Sequence, residues 1–110
     1  MGIDFQLHRA SVDIAKGFRQ FQKADSALSN DNLDRAVKHL NNGLDCFATA
    51  QEHVEKAEDD AYTKAGEEID KGNKELQKSI DAYVDGKADR AISQYENAMD
   101  SYDRALELID

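Results

Sequence analysis

Asp89-Arg90-Ala91-Ile92 repeats the phrase Asp34-Arg35-Ala36-Val37, and the two stand 55 residues apart in a chain of 110. Working outward from this pair, residue i can be set against i+55 along the whole chain without a gap. Ile14 meets Ile69, Lys16-Gly17 meets Lys71-Gly72, Gln22-Lys23 meets Gln77-Lys78, Ala27 meets Ala82, Asp45 meets Asp100 and Ala50 meets Ala105; 15 of the 55 pairs are identical. Shared helical composition alone does not return several intact phrases in one register. The chain therefore reads as a duplicated unit, residues 1–55 and 56–110, within one domain spanning 1–110.

The composition says what the unit is made of. Proline is absent, glycine is scarce, and charged residues make up 34% of the chain. Together with short apolar steps this is the composition of long helices rather than of a sheet or a disordered tail. No apolar run approaches the roughly 18 residues that a membrane span requires, and no basic segment followed by an apolar run marks a signal peptide. The net charge of −9 is lopsided: residues 1–55 carry 6 basic and 8 acidic groups, residues 56–110 carry 8 and 15. An acidic surface repels phosphate backbones, which argues against nucleic acid; the missing apolar run argues against a membrane. A single cysteine, Cys46, leaves no intrachain disulfide to form and points to a reducing, cytoplasmic setting.

Taken in order, the apolar positions predict four helices. Leu7, Ile14, Phe21 and Leu28 recur every seven residues, with Ala10, Gly17 and Ala24 at the alternate core position and Phe18 widening the stripe, so helix 1 is expected over about Asp4–Leu28. Gly17 and its twin Gly72 predict a close approach of backbones, since a mid-helix glycine costs roughly 1 kcal/mol against alanine. Ser29-Asn30-Asp31-Asn32 breaks the helix, with Asn30 or Asp31 expected to cap the next. Helix 2 carries Leu33, Ala36, Val37, Leu40, Leu44, Phe47, Ala50 and Val54. Helix 3 carries Tyr62, Ala65, Ile69, Gly72, Leu76, Ile80 and Tyr83 and stops at Gly86, a residue suited to the left-handed position past a helix end. Helix 4 carries Ala88, Ala91, Ile92, Tyr95, Ala98, Met99, Tyr102, Ala105, Leu106 and Ile109. Short links make neighbours antiparallel. The expected fold is an all-α, up-down-up-down four-helix bundle of two duplicated hairpins with left-handed heptad-type packing. The duplication also implies a turn within Glu55–Ala61, capped by Asp59 or Asp60. A continuous helix through that link would instead exchange hairpins between two chains.

Gly86-x4-Ala91-Ile92-x2-Tyr95-x2-Ala98-Met99 resembles the second half of a tetratricopeptide repeat, and Asp34-Arg35-Ala36-Val37-x2-Leu40-x2-Gly43-Leu44 is a looser copy. The resemblance covers about 14 residues in each half and implies helical-hairpin packing and peptide or protein binding. The chain departs from that family in its 55-residue spacing against roughly 34, and in lacking the tryptophan, leucine and glycine of the preceding helix and the terminal proline.

Few residues are placed for chemistry. A di-iron bundle needs Glu-x-x-His on two helices, and no glutamate precedes His8, His39 or His53 by three. His39, Cys46 and His53 share one stripe of helix 2, but seven residues is about 10.5 Å of rise, too far for one ion to join neighbours. They are read as residues flanking the core, with an intermolecular or two-helix zinc site as the outside alternative. No activated serine motif, glycine-rich phosphate loop or Cys-x-x-Cys is present, so no enzyme and no cofactor is expected. All four tyrosines, Tyr62, Tyr83, Tyr95 and Tyr102, lie in the second half and replace Leu7, Leu28, Leu40 and Phe47. Their rings can pack inward with the hydroxyls at the rim, or they can line a partly open helix 3–helix 4 face that binds a partner helix or a small ligand, where aromatic anchors in the more acidic half would suit a basic amphipathic helix. The expected function is a non-enzymatic protein–protein interaction module, monomer or homodimer, acting on a protein partner or on itself. The alternative is a bundle that holds a small ligand or a metal in its interior.

Overall fold

The computed structural model describes residues 5–57 and 60–109, and these form four helices joined as two antiparallel hairpins. Helix α1 spans Phe5–Ser29, α2 Leu33–Lys56, α3 Thr63–Val84 and α4 Ala88–Ile109, with a short 3-10 turn at Asp60–Tyr62 before α3. The helices lie side by side in a rod 49 Å long and 19 by 17 Å across. The all-α four-helix bundle read from the apolar spacing is the observed architecture. No helix among the described residues is long and apolar enough to cross a membrane.

The two hairpin turns have the same construction. The residues at twin positions 31 and 86, Asp31 and Gly86, take the left-handed conformation at φ 57° and 76°. One residue later the chain bonds back across the helix end: Asn32 N–H donates to the Ala27 carbonyl and Lys87 N–H to the Ala82 carbonyl, both at 2.8 Å. These bonds satisfy carbonyls that the end of a helix leaves open. The cap of α2 is Asn32, whose side chain accepts from Arg35 N–H at 3.1 Å. It is neither Asn30 nor Asp31, because Asp31 is needed in the left-handed position and only the residue after it faces the first turn. At the middle link α2 ends at Lys56, with Ala57 N–H on the Val54 carbonyl. Tyr62 stands at the cap position of α3 with no side-chain cap bond, and Asp60 opens the 3-10 turn instead. Asp59, the other cap candidate, and Asp4, the expected start of helix 1, lie outside the described residues. Val54 sits against Gly66, and Gln51 bonds Asn73, so α3 folds back along α2 in the same chain. The bundle is therefore closed without a continuous α2–α3 helix.

The core repeats across the two halves. Ala10 and Ala65, Ile14 and Ile69, Ala36 and Ala91, Ala50 and Ala105, and Phe47 and Tyr102 are twin pairs in which every member is wholly buried. At the centre Phe47 and Tyr102 stack face to face, with centroids 3.5 Å apart and planes 10° from parallel. Behind each ring lies a glycine. A Cβ on Gly17 would stand 2.4 Å from Phe47, and one on Gly72 would stand 2.6 Å from Tyr102. At both positions a ring lies against the backbone, and at Gly17 the α2 backbone is close as well, since a Cβ on Gly43 would stand 3.5 Å from the Gly17 carbonyl oxygen. The stack is where the two hairpins meet, and an aromatic pair of this kind adds about 0.5–1.5 kcal/mol beyond the area it buries.

The two long seams between hairpins are built differently. Along α2–α3 the residues are small or polar: Val54 lies against Gly66, and Asn73 Nδ2 donates to Gln51 Oε1 at 3.1 Å. Along α1–α4 the twin of Asn73 is Phe18 and the twin of Gln51 is Leu106. Here the contact is made by rings: Phe21 lies edge-on to Tyr95 at 4.7 Å, and Phe18 reaches Tyr102 at 6.5 Å. The backbones of α1 and α4 consequently stand further apart than those of α2 and α3. Three residues assigned to the apolar stripes end up exposed: Leu33 at 42%, its twin Ala88, and Ile92 at 46%. Leu33 is the first residue of its helix, and Ile92 lies toward the wide seam.

Candidate functional site

The hydroxyl of Tyr102 explains why this half has a tyrosine where the other has phenylalanine. The wholly buried ring delivers its O–H to Asn73 Oδ1 at 2.7 Å, in the tight α2–α3 seam. Asn73 donates in turn to Gln51, and Gln51 Nε2 donates to Glu55 at 3.1 Å and reaches Asp70 at 3.5 Å. A buried phenol needs such a partner. In the first half Phe47 carries no hydroxyl, and the twin of Asn73 is Phe18, which meets it edge-on at 5.8 Å. Burial pushes the Tyr102 phenol well above its ordinary value, so it stays a donor.

Tyr95 shares the inward face of α4 with Tyr102, since both pack on Phe21, but the four tyrosines do not form one face. Tyr83 is buried, and Tyr95 is half-buried against Phe21. Both phenols are pushed up, first by burial and then by the carboxylate of Asp25 beside them. Asp25 is itself raised by loss of solvent. Tyr62 lies at the opposite end of α3, about 30 Å of helix away. Half-buried, it lines a cleft of about 680 Å³ with Gln51, Glu55, Asp60, Glu67 and Asp70. Of the four tyrosines, then, Tyr83 and Tyr102 are core, Tyr83 and Tyr95 come together, and Tyr62 stands apart.

The stripe of His39, Cys46 and His53 packs against a matching stripe of α1. His39 Nδ1 and Gln20 Oε1 are 2.8 Å apart, as are His53 Nδ1 and Gln6 Oε1, and His53 Nε2 lies 3.5 Å from Asp13. The His39 imidazole is held below its ordinary value by loss of solvent and by Lys23, Arg35 and Lys38. Burial pushes the Cys46 thiol up, with Asp13 and Asp45 adding to the shift against Lys16, so at neutral pH it is a thiol and not a nucleophilic thiolate. No group of three His, Cys, Asp or Glu side chains among the described residues is arranged to hold a metal ion. The second hairpin carries a different set at the twin stripe. Arg104 bonds Glu68 at 3.1 Å and Ser101 at 3.2 Å, while Gln94, twin of His39, has a buried Oε1 without a partner among the described residues.

One surface was not singled out by sequence reasoning: the outer side of the wide α1–α4 seam. Phe18, Tyr95, Met99 and Leu106 are only partly buried along it, and Ile92 is exposed. On α4 it is bordered by Asp89, Glu96 and Asp103, all exposed and spaced by seven. The signal for it lay in the twin comparison, where Asn73 answers to Phe18 and Gln51 to Leu106. No family model matches the chain, and neither a curated protein nor a solved structure similar to it was found.

Proposed function

We propose that the chain is a non-enzymatic protein–protein interaction module of the cytoplasm that works without a cofactor. The observation that carries this reading is the wide α1–α4 seam, where Phe18, Tyr95, Met99 and Leu106 remain partly open beside exposed Ile92. On the other side of the bundle α2 and α3 lie closer together and the Asn73–Gln51 bond spans the seam, with the cleft at Tyr62 opening at its end. An apolar strip rimmed by charge is the usual form of a partner site. The protonated state of Cys46 and the engagement of His39 and His53 with Gln20 and Gln6 support a binding role over a catalytic one.

The test is photo-crosslinking in cells, with a benzophenone amino acid placed at Ile92 or Glu96 on the seam, or at Lys38 on the far side of α2. Discrete adducts of higher mass are expected from positions 92 and 96 and not from position 38. No adduct from either seam position, or the same adducts from position 38, would overturn the reading.

A further inference from the structure

We propose that the occupant of the α1–α4 seam is a basic amphipathic helix of a partner protein, laid along α4 with Lys or Arg side chains one heptad apart against Asp89, Glu96 and Asp103. This rests on the interaction-module reading and names the chemistry of the partner.

Three observations select that occupant. The first is the position of the acidic row. Ser101 and Arg104 face α3, as the Arg104–Glu68 bond shows. Tyr95 and Tyr102 face inward against Phe21 and Phe18. Residues one step beyond these tyrosines, Glu96 and Asp103, therefore fall on the opposite flank from α3, at the lip of the seam, and Asp89 precedes them by seven.

The second is that the row is unanswered. None of the ion pairs among the described residues involves Asp89, Glu96 or Asp103. The facing lip of α1 is His8, Ala15 and Gln22, all exposed, with exposed Asp25 beside them. Of the basic residues of α4, Arg104 is on Glu68, and Arg90 lines one cleft with Lys78, Asp81 and Asp85 and another with Lys87 and Asp89, leaving no basic side chain beside Glu96 or Asp103 on α4. On α1, the heptad of Arg9, Lys16 and Lys23 belongs to the side that packs on α2, and Arg19 stands one row further out.

The third is an internal control. The twins of Asp89, Glu96 and Asp103 are Asp34, Asn41 and Ala48. The narrow copy of the seam carries one acid at these positions, and the wide copy carries three. An acidic row spaced by seven beside an apolar strip is half of a coiled-coil-type interface, in which charges flanking the apolar seam select the partner. A second copy of this chain would bring further acid to the same lip, because its net charge is −9, and like charges in register disfavour that pairing.

The probe is a labelled amphipathic peptide of about three heptads, with Leu at the apolar positions and Lys at the flanking ones, compared with the same peptide carrying Glu. Saturable one-to-one binding of the Lys peptide to the full chain is expected, weakening as salt rises, with no binding of the Glu peptide. Glu96→Lys with Asp103→Lys should weaken the Lys peptide by about tenfold or more and admit the Glu peptide. Asp45→Lys with Glu52→Lys makes the same change in net charge on α2 and should leave the Lys peptide nearly as tight. Circular dichroism of both variants is expected to match the parent. Four results would overturn the proposal: no binding of the Lys peptide, equal binding of both peptides, equal loss in the two double variants, or a self-associated chain whose dimer is lost on Met99→Asp. Peptide failure alongside specific crosslinks from positions 92 and 96 would discard the basic helix and leave the interaction reading standing.

Discussion

At the scale of single residues, the most constrained positions are the two glycines behind the central rings. Alanine at position 17 or 72 would gain about 1 kcal/mol of helix propensity. Its Cβ would also stand 2.4 Å from Phe47 or 2.6 Å from Tyr102. Neither ring can retreat, because each is wholly buried and backed by the other in the stack. Overpacking of this kind costs about 1–3 kcal/mol. Gly17→Ala and Gly72→Ala are each expected to lower the stability measured by urea unfolding, whereas a gain at either position would mean that the ring does not lie over the glycine. The importance of these glycines was legible, since both fall mid-helix and one repeats the other. What fills the space was not, because heptad spacing shows that a position is small without showing whether backbone or ring comes close.

At the scale of the helix pair, Asn73 and Phe18 decide how the two seams differ. Each contacts the large ring of its own hairpin's centre: Asn73 through the hydroxyl of Tyr102 at 2.7 Å, Phe18 through the edge of Phe47 at 5.8 Å. The pairs Tyr–Asn and Phe–Phe are matched sets and should exchange only together. Phe47→Tyr alone would bury a hydroxyl against Phe18 at a cost of about 1–3 kcal/mol. Phe18→Asn alone would remove ring packing at a similar cost of about 1–3 kcal/mol. In the double variant the introduced amide can accept from the introduced phenol, so its loss should be smaller than the sum by about 1 kcal/mol. Strict additivity in a double-mutant cycle would show that the twin sites are not equivalent environments. The helices, their antiparallel order and the turn at Gly86 could be read from spacing and turn chemistry alone. Asn32 as the cap could not, because four consecutive residues, Ser29 to Asn32, all suit a helix break and only the left-handed turn at Asp31 sets the frame. The candidate site was half legible. The four tyrosines marked the second half as different, but burial of Tyr83 and Tyr102 depends on which helix lies opposite, and that is a tertiary fact.

At the scale of the whole molecule, the two halves form similar hairpins, and differences at a few twin positions give the bundle one narrow seam and one wide one. The excess of acid in the second half was visible as composition. Its arrangement into Asp89, Glu96 and Asp103 along one lip acquires meaning only once α1 is placed beside α4 through Phe18, Phe21, Tyr95 and Tyr102. The two hairpins close on each other within one chain through the Phe47–Tyr102 stack. The most direct measurement is the nuclear Overhauser effect between the ring protons of these two residues, with isotope filtering on a mixture of labelled and unlabelled chains. Strong ring-to-ring effects within a labelled chain, and none between labelled and unlabelled chains, are expected. Effects seen only between chains would mean that hairpins are exchanged, and their absence from both experiments would mean that the halves do not share this core.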